Sequence, residues 1–190
     1  MRTAGRRLIA FGPGTAEMSA NREPRGHDAA NQRSVAANVA LRRLLLPIDA
    51  TERSRWGIGY ALALHRAGQR IEATLLSIAE PITDGRILRF RTPIARFQAE
   101  RARHLLEEAA QALTGEGIRC RTLFREGEIV FEILDAAEQL ECTEIVLPAP
   151  APRLLALFSD DTVRKVLRQR REIPVVVVDQ NGVPNGHRAD

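Results

Sequence analysis

The sequence predicts an α/β fold: a five-stranded parallel sheet with helices on both faces. Three observations point to it. Short apolar runs alternate with stretches of helical periodicity through residues 42–179, in the order β-α-β-α-β-α-β-α-β. The first, fourth and fifth runs have unbroken apolar cores, as strands covered on both faces should. The two ends, residues 1–40 and 180–190, carry no such pattern.

Strand 1 is "RRLLLPID" (42–49). Pro47 is tolerable there because it lies near the carboxyl end, where a missing ladder donor costs least. "TERSRWGIGYALALHRAG" (51–68) follows as a helix, with Thr51 as the expected N-cap and Gly68 at its end. "IEATLLSIA" (71–79) is strand 2. After a loop at 80–93, a long helix within 94–117 ends at Gly115. "IRCRTLFRE" (118–126) alternates apolar and polar residues as strand 3. In "EIVFEILDAAEQLE" (128–141), Ile129, Ile133, Ala137 and Leu140 share one helical face. "EIVLP" (144–148) is strand 4. Val163, Val166 and Leu167 mark the last helix, and "IPVVVVD" (173–179) is strand 5. The front segment, with "GPGTAEMSANREPRGHDAANQRS", is polar and broken by Gly, Pro and Asn. The expected organisation is a disordered tail at 1–40, one domain at 41–179 and a flexible tail at 180–190.

A chain of 190 residues with 44% apolar content fits one globular domain. No run approaches the roughly 18 apolar residues that span a bilayer. The apolar stretch near the start, "LIAF", falls short of the about 7–15 residues of a secretory core, so the cytoplasm is the expected compartment. Cys120 and Cys142 have no neighbouring cluster of Cys and His, so reduced, mostly buried thiols and no metal are expected. The net charge of +4 sits mainly in residues 1–40, where six arginines face three carboxylates. Residues 41–179 hold 21 basic against 20 acidic side chains, which argues against a dedicated nucleic-acid face.

Ligands of open parallel sheets sit beyond the carboxyl ends of the strands, where strand order reverses. With the order 3-2-1-4-5, the reversal lies between strands 1 and 4. The crevice is then lined by "DATE" (49–52) and "PAPAPR" (148–153). Asp49 is the best-placed functional group. Two roles are open for it: capping the turn into the first helix, or touching a ligand.

The residues also carry a family resemblance. "LLLPIDATERS" resembles the first strand and turn of the universal stress proteins. "REGEIVFEILDAAEQLECTEIVLP" resembles their third helix and fourth strand, with Gly127 at the family's usual glycine. "DTVRKVLRQRREIPVVVVD" resembles their last helix and strand. The resemblance spans residues 42–179. It implies the 3-2-1-4-5 order and an adenine nucleotide alpha hydrolase-like fold. It also implies a choice between two branches. The ATP-binding branch carries, after strand 4, a Gly, two residues, a Gly, nine residues, and a Gly followed by Ser or Thr. Glycines serve there because backbone N–H groups must reach phosphate oxygens without a Cβ in the way.

On this chain the three glycine positions fall on Pro148, Ala151 and Asp161, and Thr162 alone matches. Pro148 has no N–H. Ala151 resists positive φ. A carboxylate at Asp161 repels a phosphate about 4 Å away by roughly 1 kcal/mol in water and by more in a crevice. Ser159, Asp160 and Asp161 instead suit the start of the last helix, where carboxylates satisfy open N–H groups. No cofactor is therefore expected. A nucleotide held by an altered loop would meet Pro47, Asp49, Ala50, Pro148, Ala151, Asp161 and Thr162. The resemblance further implies a homodimer paired through strand 5 at Val175–Val178.

Other motifs add no chemistry. "RILRFR" (86–91) with Arg96 reads as a solvated loop face rather than a site for an acidic partner. His65 and His104 have no partner at metal-ligand spacing, and Ser54, Ser77 and Ser159 lack a G-x-S-x-G context. The expected role is a non-enzymatic stress-response module that does not bind ATP and meets a protein partner. The alternative is a nucleotide-binding universal stress protein. A third reading is a nucleic-acid-associated protein working through its arginine-bearing front segment.

Overall fold

The computed structural model describes residues 9–11, 40–81, 91–149, 160–170 and 172–185. Its elements are β1 (Ile9–Phe11), β2 (Arg42–Pro47), a 3-10 turn (Glu52–Arg55), α1 (Trp56–Arg66), β3 (Ile71–Ala79), α2 (Arg91–Thr114), β4 (Arg119–Glu126), α3 (Ile129–Gln139), β5 (Glu144–Pro148), α4 (Asp160–Gln169) and β6 (Val175–Val178). They form a six-stranded sheet of order β1-β4-β3-β2-β5-β6. β2 to β6 are the five strands read from the sequence. They are mutually parallel and take the expected order 3-2-1-4-5.

β1 corrects the expectation of a wholly disordered front segment. It pairs antiparallel with β4, Ile9 opposite Phe124 and Phe11 opposite Thr122. The outer edge of β4 offers a row of backbone donors and acceptors, and three extended residues suffice to use them. So short a run shows no period in the sequence. Residues 1–8 and 12–39 lie outside the described residues.

Helices cover both faces and create two cores. On one face α1 and α2 bring Ile58, Ala61, Leu106 and Leu113 onto Leu44, Leu46, Leu75 and Val146. On the other, α3 and α4 bring Ile133, Ala137, Val163 and Val166 onto Leu45, Leu76, Ile145 and Leu147. The alternation of Leu44, Leu45 and Leu46 between the two cores is the period of a strand buried on both sides. α3 starts cleanly because the Glu128 side chain accepts the Phe131 N–H at 2.7 Å.

Gly127 is required just before α3. A Cβ there would lie 2.5 Å from Oε1 of Glu132. That space lets Glu132 reach Arg125, which is 6% exposed. Arg125 donates to Glu132 at 3.1 Å, to Asp135 at 2.6 Å and to Gln139 at 2.7 Å. The network ties the carboxyl end of β4 to α3.

Pairing between β2 and β5 is short. It covers Leu44 opposite Glu144 and Leu45 opposite Ile145, whereas β3 and β4 pair over eight positions. Two prolines explain why the strands part. The amides of Arg42 and Ile48 donate to the β3 side, to Arg70 and Leu76, so the nitrogen of Pro47 faces β5. The amides of Ile145 and Ala149 donate to the β6 side, to Pro174 and Val178, so the nitrogen of Pro148 faces β2. Neither nitrogen carries a hydrogen, and no ladder bond can be made there. At the other end of the seam Arg42 grips Glu144 with Nε, at 2.9 Å, and with an NH2 group. Arg42 also donates to Tyr60 at 2.9 Å and to Gln69 at 2.6 Å, and the Tyr60 hydroxyl donates to Glu144 at 3.1 Å.

The carboxyl terminus also departs from expectation. Residues 179–185 form a return segment rather than a free tail. Asp179 Oδ1 accepts the N–H groups of Asn181 and Val183 at 2.8 and 2.9 Å. The chain then runs back along β6. Asp179 N–H donates to Val183 O at 2.9 Å and Asn185 N–H to Val177 O at 2.8 Å. Gly182, at φ 70°, packs on α1, where a Cβ would lie 2.6 Å from the Tyr60 nitrogen. β6 is the edge strand, as expected, but the carboxyl half of its outer edge is occupied by its own chain.

Candidate functional site

The gap between the ends of β2 and β5 opens at the topological reversal, where the sequence placed the crevice. Asp49 follows the end of β2 there and is 5% exposed. Its Oδ1 accepts the Thr51 N–H at 2.8 Å and the Thr51 hydroxyl at 2.5 Å. Ser54, also buried, donates its hydroxyl to the carbonyls of Asp49 at 3.1 Å and Thr51 at 2.8 Å. These bonds hold a tight turn that leads into the 3-10 turn and α1. Thr51 is therefore not the expected side-chain N-cap, since its hydroxyl turns back to Asp49. The other oxygen, Oδ2, is buried without a hydrogen-bond partner among the described residues. Asp49 thus braces the turn and still has an acceptor to offer.

The cavity next to Asp49 measures about 410 Å³ and lies toward β3 rather than β5. Ala50, Thr51, Ser77, Gln98, Arg101 and Phe124 help to wall it. Sequence reasoning singled out Asp49 and Ala50 as site residues but passed over Gln98 and Arg101, and considered Ser77 only as a nucleophile. The only available signal for Ser77 was its place near the carboxyl end of strand 2. Gln98 and Arg101 arrive through the seating of α2 on the sheet, which spacing along the chain does not reveal.

On the β5 side, Pro148 ends the strand and Ala149 commits its N–H to Val178 O at 2.7 Å. The first two residues after Leu147 therefore direct no free donor into the crevice. Thr162 is half-buried on α4. Ala151 lies outside the described residues, with the rest of 150–159. Asp160 and Asp161 begin α4 by their backbone, but their expected capping contacts lie outside what is described. Residues 86–90 of the basic loop also lie outside. Among the described residues there is no cluster of metal-ligating side chains and no helix long and apolar enough to cross a membrane. Both cysteines are free thiols, Cys142 buried and Cys120 half-buried.

Residues 40–179 match the family model described as the universal stress protein family. A search of curated protein sequences found no significant match. Several solved structures share the fold. Universal stress protein UspA from Lactobacillus plantarum is 19% identical, with 74% of this chain and 99% of that one covered and a TM-score of 0.61. A universal stress family protein from Burkholderia pseudomallei is 15% identical, with 72% and 94% covered and a TM-score of 0.55. A universal stress family protein from Arabidopsis thaliana, solved with AMP bound, is 15% identical, with 74% and 92% covered and a TM-score of 0.50.

Proposed function

This chain belongs to the universal stress protein family, and from that we propose that it is a cytoplasmic stress-response regulatory or interaction module that neither binds ATP nor catalyses a reaction. One observation carries the reading. Pro148 has no N–H and the Ala149 N–H is spent on Val178, so the first two residues after Leu147, the described part of this exit, offer a phosphate no donor. The sequence supports it further with Ala151 and Asp161 at the remaining glycine positions.

Isothermal titration of Mg-ATP into the whole chain tests it. The expected dissociation constant lies above roughly 1 mM, weaker than about 4 kcal/mol. Replacing Pro148, Ala151 and Asp161 together by Gly is the smallest change expected to create affinity. Micromolar binding by the unmodified chain would overturn the proposal. It would establish the second reading, a nucleotide-binding protein with an altered loop. That reading draws on Asp49 Oδ2, an unused acceptor beside a cavity, and on the AMP-bound Arabidopsis relative.

Self-association through Val175–Val178 belongs to the same proposal, alongside a protein partner. The ladder turns the backbone groups of Val175 and Val177 toward the free edge, and the Val177 carbonyl is already taken by Asn185. A second copy must pair beside Val183–Asn185 or displace them.

A further inference from the structure

We propose that a cavity at the amino ends of β2, β3 and β4 binds a small molecule bearing a phosphate or carboxylate group. It lies at the end of the sheet opposite Asp49, and the proposal is independent of nucleotide binding there. The cavity measures about 600 Å³, within the range of roughly 300–1,000 Å³ typical of small-molecule sites. Register sets out its polar groups. Arg43, Glu72 and Arg119 stand opposite one another on adjacent strands, and Thr74 stands opposite Arg121 in the next polar row. α3 ends at Gln139, beside the cavity, and leaves these rows uncovered.

The charges do not cancel. Glu141 takes Arg43 at 3.0 Å and Glu72 takes Arg119 at 3.2 Å. Arg121 is exposed and has no carboxylate partner among the described residues. Its guanidinium fork and the Thr74 hydroxyl, about 4.8 Å apart at the backbone, form a donor set suited to an oxyanion. Arg119 is 86% exposed in its ion pair, and exposed pairs contribute only about 0–1 kcal/mol, so it can turn to a ligand at little cost. Three cations against two carboxylates leave one excess positive charge among these side chains. That suits a compact anion and disfavours a triphosphate.

The test is amide NMR of the whole chain titrated with inorganic phosphate and, separately, with succinate. Sodium chloride at matched ionic strength is the control. Saturable shifts are expected at the amides of Thr74, Cys120 and Arg121, weakened about tenfold by Arg121→Gln, which removes a charge-assisted contact. Arg103→Gln, on the outer face of α2, should change nothing. A response to phosphate alone assigns a phosphate ligand, and one to succinate alone a carboxylate. No shifts, shifts reproduced by chloride, or shifts that survive Arg121→Gln would overturn the proposal. Arg121 is exposed, so a folded variant is expected, and its spectrum reports this directly.

Discussion

Thr51 donates both its N–H and its hydroxyl to one oxygen of Asp49, at 2.8 and 2.5 Å, while the other oxygen is buried without a partner among the described residues. One carboxylate therefore closes the turn after β2, beside the cavity that Asp49 helps to wall. Asp49→Ala strands both Thr51 donors and is expected to cost about 1–3 kcal/mol. Asp49→Asn keeps an acceptor for Thr51 and should cost less. Urea midpoints check the order, and an Asp49→Ala midpoint equal to the parent's would refute the bracing role.

Arg125 is expected to be the most sensitive polar residue in the fold. Arg125→Ala removes a buried cation from its contacts with Glu132, Asp135 and Gln139, for a loss of about 3–5 kcal/mol. Gly127→Ala should cost about 1–3 kcal/mol by pushing Glu132 off its hydrogen bond. Combining the two should cost less than the separate losses together, because they break the same network. Full additivity in denaturant unfolding would disprove the link.

Stability should fall in alkali. Burial pushes both thiols from an ordinary 9.0 to about 11, with Arg43 and Arg121 drawing Cys142 partly back. The unfolded chain then loses its thiol protons first as pH rises. The stabilisation is whole below about pH 9 and is lost as pH climbs toward 11. Tyr60, also raised by burial and by Glu144, adds the same sign above pH 10. Unfolding free energies measured from pH 8 upward should decline, and the decline between 9 and 10 should flatten in Cys120→Ala/Cys142→Ala.

Gly182→Ala should free the return segment. Its Cβ would meet backbone atoms of Tyr60 and Gly59 at 2.6 and 2.8 Å, and its φ of 70° suits glycine. The expected outcome is faster amide exchange at Asp179 and Asn185 with cooperative unfolding retained. Light scattering should show more dimer than in the parent, because the whole outer edge of β6 becomes available. A variant that exchanges faster yet associates no more would remove edge pairing as the route to a dimer.

The periodic parts of this fold were legible from residues 42 to 179. Leu44–Leu46 and Val175–Val178 read as strands because burial on both faces makes them uniformly apolar. Pro47 was legible as a strand end, but its opposition to Pro148 required the ladder directions of both strands. β1 escaped notice because three residues carry no period. The return segment escaped because it depends on Gly182 meeting Gly59, far away in sequence. The position of Asp49 at the end of the first parallel strand was legible, while Gln98 and Arg101 reach the same cavity wall through helix packing.

The two-position pairing of β2 with β5 gives the sheet a mechanical weak line. Peeling β5 and β6 from the rest breaks few ladder bonds, whereas parting β3 from β4 must break a ladder of eight positions. The domain is built as two blades, β1-β4-β3-β2 and β5-β6, riveted at one end by Arg42 and Glu144 and left unjoined at the other by Pro47 and Pro148. Under load, or in a partly denaturing solvent, the first tear should start between the prolines and run toward the rivet. A molecule wedged at the open end would therefore act on the rigidity of the whole sheet, and not merely on the loop it touches.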